Sequence, residues 1–81
     1  MHQNLIYQYY NSNVLLVINP KGKLKVLYTP FRVLCIVASG RIPQNTWVYV
    51  DKVGTDEFNH LQFVIFNEHH SYQHFQLPIS Q

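Results

Sequence analysis

The chain has 81 residues, 47% of them hydrophobic and 15% aromatic, which suits one small domain over residues 1–81 and not two. Charged residues make up 12%, about half the usual share of a soluble domain, so little charge opposes self-association. The net charge of +2 is too small to indicate a nucleic-acid ligand by itself. No window reaches the roughly 18 apolar residues of a membrane span and the N-terminus lacks a signal-peptide pattern, so we expect a cytoplasmic protein without membrane contact.

The first thirteen residues fit more than one secondary structure. Leu5, Tyr7 and Tyr9 have the spacing of one strand face, whereas Leu5 and Tyr9 also have the spacing of a helical turn. The polar triplet Asn11-Ser12-Asn13 indicates a break. We expect residues 1–13 to form a strand or an ordered arm, and a helix there would make the fold α+β.

A β-hairpin is predicted next. Residues 14–18 (VLLVI) form an apolar run of strand length, and Asn19-Pro20-Lys21-Gly22 has the residues of a type I turn that closes with a glycine bulge. We therefore expect residues 14–18 to pair antiparallel with residues 23–28.

The apolar alternation changes phase after this hairpin. Leu24, Val26 and Tyr28 share one face, whereas the apolar positions that follow Pro30 continue in the opposite phase. Proline cannot donate a hydrogen bond to a strand ladder and is found at bulges and strand starts. Thr29-Pro30 is therefore expected to form a kink or a corner between two strands.

Three runs in the second half predict an antiparallel meander. They are residues 46–54 (TWVYVDKVG), 61–67 (LQFVIFN) and 71–79 (SYQHFQLPI), each rich in β-branched and aromatic residues and separated by short polar breaks. In the last run we expect Phe75, Leu77 and Ile79 to point inward.

These elements predict an all-β fold with an antiparallel core over residues 14–79. Five or six short strands with a bend near the middle favour a rolled sheet or a small barrel. An SH3-like barrel is the first choice, and an OB-like barrel or an α+β fold is the alternative.

Four histidines, His60, His69, His70 and His74, lie within fifteen residues but do not predict a metal site. If His70 and His74 lie on one strand, they are about 13 Å apart, because a strand rises about 3.3 Å per residue. Zinc needs its nitrogen ligands about 2 Å from the ion. We expect His69 and His70 to lie exposed in a hairpin turn.

The chain shows no motif of an enzyme or of a cofactor site. Its only cysteine, Cys35, excludes an intramolecular disulfide and lies in the apolar run 33–37 (VLCIV), which favours an inert buried thiol. The four acidic residues form no spaced pair suited to acid–base catalysis, and the three glycines are isolated. We expect a protein that is not an enzyme and binds no cofactor or metal.

The preferred hypothesis is a module that binds a protein or a copy of itself. Several strands are apolar on both faces, and tryptophan and tyrosine give large contact areas at modest entropic cost. The residues expected on this aromatic outer face are Trp47, Tyr49, Tyr72, Val64 and Phe66.

The alternative hypothesis is binding of single-stranded nucleic acid or RNA. Cations concentrated in the first half would contact phosphates, and Trp47 and Tyr49 would stack on bases. The residues of this expected basic edge are Lys21, Lys23, Lys25, Arg32 and Arg41.

Overall fold

A computed structural model describes residues 5–78, and their secondary structure confirms the all-β fold class. The nine strands are β1 (Ile6–Asn11), β2 (Val14–Ile18), β3 (Leu24–Tyr28), β4 (Phe31–Cys35), β5 (Thr46–Val50), β6 (Lys52–Thr55), β7 (Leu61–Ile65), β8 (Glu68–Ser71) and β9 (Phe75–Gln76). A 3-10 helix, Tyr72–His74, joins β8 to β9, and no helix of the described residues is long and apolar enough to span a membrane.

The first sheet has the strand order β1-β2-β3 and contains the predicted hairpin. Val14 pairs with Tyr28 and Ile18 with Leu24, which confirms the expected antiparallel register. In the turn, the Gly22 N–H donates to the Asn19 carbonyl at 2.9 Å, and Gly22 has a φ of +79°. Only glycine adopts this region freely, so the turn chemistry sets the register of the hairpin.

The N-terminal segment is a strand in its described part, as one of the two interpretations predicts. Strand β1 pairs antiparallel with β2 and has a bulge between Tyr9 and Asn11. Tyr7 is half-buried and packs against the core, and its ring meets that of Tyr72 edge-on at 5.0 Å between centroids. The first sheet is thereby attached to the 3-10 helix.

The expected corner at Thr29-Pro30 is confirmed. Strand β3 ends before this pair, whose peptide bond is cis, and β4 begins after it in a different sheet, of order β5-β4-β9. Proline has no N–H to donate to a strand ladder, so a strand that continued through Pro30 would lack one ladder hydrogen bond. The chain changes sheets at this point instead.

The prediction of one strand over residues 46–54 is wrong. The chain breaks at Asp51, whose N–H donates to the Val64 carbonyl at 2.9 Å. Strand β5 before the break pairs with β4, whereas β6 after it belongs to a third sheet of order β6-β7-β8. Two strands in two sheets therefore replace one strand of a meander.

The prediction of a strand over residues 71–79 is also wrong. The chain reverses one residue after β7, at Phe66 and Asn67, so that β8 starts at Glu68 and ends at Ser71. The 3-10 helix follows, and only two residues of β9 pair with β4. Phe75 and Leu77 are buried as expected, whereas Ile79 lies outside the described residues.

The three sheets enclose one apolar core but do not close into the barrel that we expected, and an SH3-like arrangement is not confirmed. Phe63 is central in this core, with ring centroids 5.6 Å from Phe31 and 6.0 Å from Phe75. The buried apolar side chains are Leu15, Val17, Phe31, Val33, Cys35, Ile42, Val48, Val50, Val53, Leu61, Phe63, Ile65, Phe75 and Leu77.

Candidate functional site

The predicted aromatic outer face is only partly assembled. Trp47 and Tyr49 share the exposed face of β5, and Arg32 lies beside them on β4, with its guanidinium carbon 4.5 Å from the centroid of the Trp47 ring system. This cation–π contact orders the exposed indole. The second sheet therefore presents a small surface of three large side chains.

The other members of the predicted aromatic face lie elsewhere. Val64 is half-buried in the third sheet between Lys52 and His69, and Phe66 is exposed at the β7–β8 turn. Tyr72 packs against the core and Tyr7 instead of facing solvent. These three residues do not extend the surface formed by Trp47 and Tyr49 into one continuous sheet face.

The predicted basic edge is likewise divided among elements. Lys21, Lys23 and Lys25 belong to the β2–β3 hairpin of the first sheet, whereas Arg32 belongs to the second. Arg41 lies in the loop between β4 and β5, where its Nη2 is 3.1 Å from Oε2 of Glu68. The lysines thus lie in a different sheet from the aromatic residues that they were expected to flank.

A larger apolar surface, which the sequence reasoning did not single out, covers the side of the first sheet that faces away from the core. On β2, Leu15 and Val17 are buried and the alternate residues point outward, as do their partners on β1 and β3. We call this surface the outer face, and its residues are Ile6, Gln8, Asn11, Val14, Leu16, Ile18, Leu24, Val26 and Tyr28.

Much of the outer face is open to solvent. Tyr28 is 68% exposed, Ile6 62% and Leu24 59%, and its polar amide side chains are Gln8 and Asn11, both on β1. The signal in the sequence was the run 14–18, which is apolar at every position and so predicts two apolar faces on β2. Leu24, Val26 and Tyr28 then continue one of those faces on β3.

The positions of His70 and His74 differ from those predicted from the sequence. His70 is on β8 and only 5% exposed, so the expectation of an exposed turn residue is wrong for His70, whereas His69 is exposed. The 3-10 helix brings His74 back toward it, and both rings bond one hydroxyl: Ser39 Oγ lies 2.8 Å from His70 Nδ1 and 2.9 Å from His74 Nδ1. The expected separation of about 13 Å required one straight strand. We call Ser39, His70 and His74 the serine–histidine cluster.

Glu68 and Arg41 form the outer edge of this cluster. The Nε2 atom of His70 is buried without a hydrogen-bond partner and lies 3.6 Å from Oε1 of Glu68. Arg41 holds the other carboxylate oxygen of Glu68 at 3.1 Å. A buried imidazole thus faces a carboxylate whose position is fixed by a cation.

Cys35, the last residue of β4, is fully buried, as predicted. Its thiol donates to the Val37 carbonyl at 3.1 Å. Burial raises the pKa of the Cys35 thiol, while the backbone contacts of Val37 and Ser39 act in the opposite direction. A thiol in this setting is a poor source of thiolate.

A groove of about 320 Å³ lies at another place in the fold and is lined by residues 56, 60–62 and 71–73. Asp56 organises its rim, because Oδ1 accepts the N–H groups of Phe58 and His60, each at 2.8 Å, and Oδ2 lies 3.2 Å from His60 Nδ1. The N–H of His60, more than any other contact, lowers the pKa of Asp56. The Asp56 carboxylate thus stabilises the conformation of the loop that contains Phe58 and His60.

Among residues 5–78, no three His, Cys, Asp or Glu side chains come together in a way that could hold a metal ion. Comparison with known proteins gives no match, whether to a family model, to a curated protein or to a solved structure. The geometry of the surfaces and clusters described above is therefore the basis for a functional proposal.

Proposed function

We propose that the protein is a non-enzymatic interaction module that self-associates through the outer face of its first sheet. One observation carries the proposal: the outward side chains of three adjacent strands are apolar at every position except Gln8 and Asn11 on β1, and the largest of them are exposed. Soluble monomers seldom expose a continuous apolar surface of this kind, and such surfaces mark interaction sites.

The size of the outer face suits a weak dimer. Three strands about 4.8 Å apart, each about five residues long at about 3.3 Å per residue, span roughly 15 by 17 Å. Small proteins bury about a tenth of their surface in a specific interface, and the accessible surface of this chain is 5531 Å². A tenth of that surface is roughly 550 Å², about twice the flat area of the outer face, so the interface belongs to the small class of weak contacts and we expect a dissociation constant on the order of micromolar.

A second copy is the partner that the charges favour. The outer face carries no charged side chain, so two copies packed face to face bring no like charges together. A two-fold interface uses the same patch on both subunits, and a flat apolar sheet face complements itself. A partner that recognised charge would need a complementary group, and this face offers none.

Face-to-face packing is favoured over pairing of strand edges. Lys25 is opposite Val17, a buried residue, so its side chain leaves the exposed edge strand β3 on the core side of the sheet. Inward-pointing charges on edge strands oppose the addition of another strand. Lys25 thus protects the β3 edge from pairing with another strand, and the outer face remains the surface through which two copies can associate.

Sedimentation velocity over a concentration series tests the proposal. We expect the wild type to shift from monomer to dimer across the micromolar range, and Val26→Lys to remain monomeric because a charge in the interface would be buried without a partner. Tyr49→Lys is the matched control, since Tyr49 is an exposed residue of an edge strand in another sheet.

Either of two results would contradict self-association through this face. One is a wild type that stays monomeric at every accessible concentration. The other is a dimer that Tyr49→Lys disrupts and Val26→Lys leaves intact, which would move the interface to the second sheet. Circular dichroism of each variant establishes that the fold is retained.

Single-stranded nucleic acid is a second candidate ligand, and the stacked pair of Arg32 and Trp47 beside exposed Tyr49 is what favours it. Aromatic rings and guanidinium planes both stack on bases, and cations contact phosphates. We expect such binding to weaken steeply with salt and to be reduced by Trp47→Ser. An absence of gel retardation with single-stranded RNA and DNA at low salt would exclude it.

A further inference from the structure

The hydroxyl at the centre of the serine–histidine cluster restricts the hydrogens of its neighbours. Ser39 has one hydroxyl hydrogen and bonds the Nδ1 atoms of both His70 and His74. It can donate to only one of these nitrogens and must accept from the other. In the neutral cluster, one histidine therefore carries its hydrogen on Nδ1 and the other has a lone pair there.

The surroundings of His70 determine which histidine accepts a hydrogen bond from Ser39 and which one donates to it. Its buried Nε2 faces Oε1 of Glu68 at 3.6 Å, and a carboxylate can only accept a hydrogen bond. Nε2 of His70 is therefore the protonated nitrogen, and its Nδ1 accepts the hydroxyl hydrogen of Ser39. It follows that His74 carries its hydrogen on Nδ1 and donates it to Ser39 Oγ.

One additional proton fits this arrangement without loss of a hydrogen bond. With His70 charged, its Nδ1–H donates to Ser39 and its Nε2–H faces Glu68, the only carboxylate in contact with the cluster among residues 5–78. The Ser39 hydroxyl then donates to His74, which moves its hydrogen to Nε2. Every partner is retained, and the buried charge has a counter-ion.

A second proton does not fit. Both Nδ1 atoms would then be donors aimed at Ser39 Oγ, and the hydroxyl hydrogen would lose its acceptor. The two Nδ1 atoms are no farther apart than the sum of their 2.8 and 2.9 Å bonds to Ser39, so two positive charges would face each other across a buried oxygen. Like charges at such a distance repel strongly where water is excluded.

The other groups around the cluster do not supply a second counter-ion. Arg41 is a cation and is already paired with Glu68. Cys35 is a buried thiol whose pKa is raised by burial, so it is neutral in the acidic range. The ring of Phe75 packs against that of His70, with centroids 5.8 Å apart, and it carries no charge.

The cluster joins parts of the fold that are far apart in sequence. Ser39 belongs to the loop between β4 and β5, His70 to the third sheet, and His74 to the 3-10 helix. The carbonyl of His74 also accepts the N–H groups of Ile36 and Val37, at 2.8 and 3.2 Å. Loss of the cluster would remove the side-chain bonds that hold the loop at Ser39 to the third sheet and the helix, while the backbone bonds of Ile36 and Val37 to His74 remain.

We propose that Ser39, His70 and His74 form a pH-operated clamp that is closed with at most one added proton and opened by the second. Mild acid thus loosens the loop over residues 36–42. The clamp lies outside the outer face of the first sheet, so it is independent of self-association.

Urea unfolding between pH 7.5 and 5 tests the clamp. The unfolded wild type can take up an added proton on each of the two histidines, whereas the closed cluster has room for one. A difference of one proton raises the unfolding constant by up to about tenfold per pH unit, so stability falls as the pH falls. In His74→Gln the second proton is absent and a donor to Ser39 is retained, so this slope should disappear.

His69→Gln is the matched control, because His69 is exposed on the same strand as His70 and lies outside the cluster. We expect its pH dependence to follow the wild type. A His74→Gln variant that keeps the wild-type slope would overturn the clamp, as would a His69→Gln variant that loses it.

Nitrogen-15 NMR of the wild-type histidine rings provides a test that needs no variant. At pH 7.5 we expect His70 to carry its hydrogen on Nε2 and His74 to carry its hydrogen on Nδ1. Nε2–H forms of both rings, or Nδ1–H forms of both, would contradict the single-hydroxyl arrangement. A reversed assignment would contradict the role of Glu68.

Discussion

Gly40 packs directly against the ring of His70, because a Cβ on Gly40 would lie 3.0 Å from Cε1 of that buried imidazole. Gly40 also has a φ of +55°, in the left-handed region that favours glycine. Gly22, with a φ of +79°, has the same backbone requirement, but no atom lies within 4 Å of the position of its Cβ. A side chain at Gly22 would therefore introduce backbone strain alone, whereas a side chain at Gly40 would introduce backbone strain and a steric contact with His70.

Alanine substitution at the two glycines should therefore give different losses of stability. Gly22→Ala is expected to lower the free energy of unfolding by about 1 kcal/mol, from the left-handed conformation alone. Gly40→Ala should lower it by about 1 to 3 kcal/mol more, because the His70 ring must move away from its bond to Ser39. Urea unfolding measures both values, and equal losses would contradict the contact between Gly40 and His70.

Tyr7 makes the fold sensitive to alkaline pH. Burial, and then the charge of Tyr72, raise the pKa of the Tyr7 phenol above its ordinary value of 10.0. The stabilising effect of a neutral Tyr7 is thus fully present below pH 10 and is lost as the pH rises through the raised pKa. Tyr7→Phe keeps the ring against Tyr72 and removes the ionisable group.

As the pH rises above 10.0, we expect Tyr7→Phe to lose less stability than the wild type, because each proton difference changes the unfolding constant by up to about tenfold per pH unit. Tyr9→Phe is the control, since Tyr9 is exposed on the same strand. Unfolding followed by far-ultraviolet circular dichroism at each pH gives the comparison. Identical alkaline losses in the wild type and Tyr7→Phe would exclude Tyr7 as the source.

The parts of the fold that could be predicted are those that local chemistry determines. The turn at Asn19 to Gly22 is closed by its own side chain and backbone, with the Asn19 Oδ1 accepting the N–H groups of Lys21 and Lys23 at 2.9 Å. The corner at Pro30 follows from the missing N–H of proline. Neither needs a partner from elsewhere in the chain.

The parts that could not be predicted depend on distant partners. The buried His70 ring has a hydrogen bond with Ser39, 31 residues away, and no local pattern encodes that contact. The break at Asp51 does have a signal, because buried Val50 and buried Val53 are in opposite strand phases. The outer face was missed because apolarity on both sides of β2 does not indicate which side is covered.

Asp56 links the β6–β7 loop to acid stability. The N–H of His60, followed by that of Phe58 and the His60 side chain, lowers the pKa of Asp56 below its ordinary value of 3.8. Its stabilising charge is therefore present above about pH 4 and is lost as the pH falls through the lowered pKa. Asp56→Asn keeps an Oδ1 acceptor for the loop and removes the charge.

The midpoint of thermal unfolding should fall in the order wild type, Asp56→Asn, Asp56→Ala at pH 7. The first two should converge as the pH falls through the lowered pKa of Asp56, because the wild-type carboxyl then becomes protonated. Asp51→Asn serves as the control, since Asp51 is held by its backbone N–H. A gap between wild type and Asp56→Asn that does not change with pH would contradict the role of the charge.

Phe66 occupies a position in which a bulky residue is unfavourable. It and Asn67 form the two-residue turn between β7 and β8, with φ values of +52° and +61°. Such turns favour asparagine and glycine, and an aromatic residue there is strained. Phe66 is also 67% exposed, so burial contributes little to offset the strain. Phe66→Asn should therefore raise the free energy of unfolding by about 0.5 to 1 kcal/mol, whereas Phe66→Ala should change it less.

Phe66→Asn also distinguishes an interface at the β7–β8 hairpin from one at the outer face of the first sheet. Phe66 lies in the third sheet's hairpin and not on the outer face of the first sheet, so Phe66→Asn should leave the concentration dependence of sedimentation unchanged. A strained residue is retained where it serves a function, so a stabilised Phe66→Asn that no longer self-associates would place the contact at the hairpin. A Phe66→Asn protein that is both more stable and still dimeric would instead agree with association through the outer face.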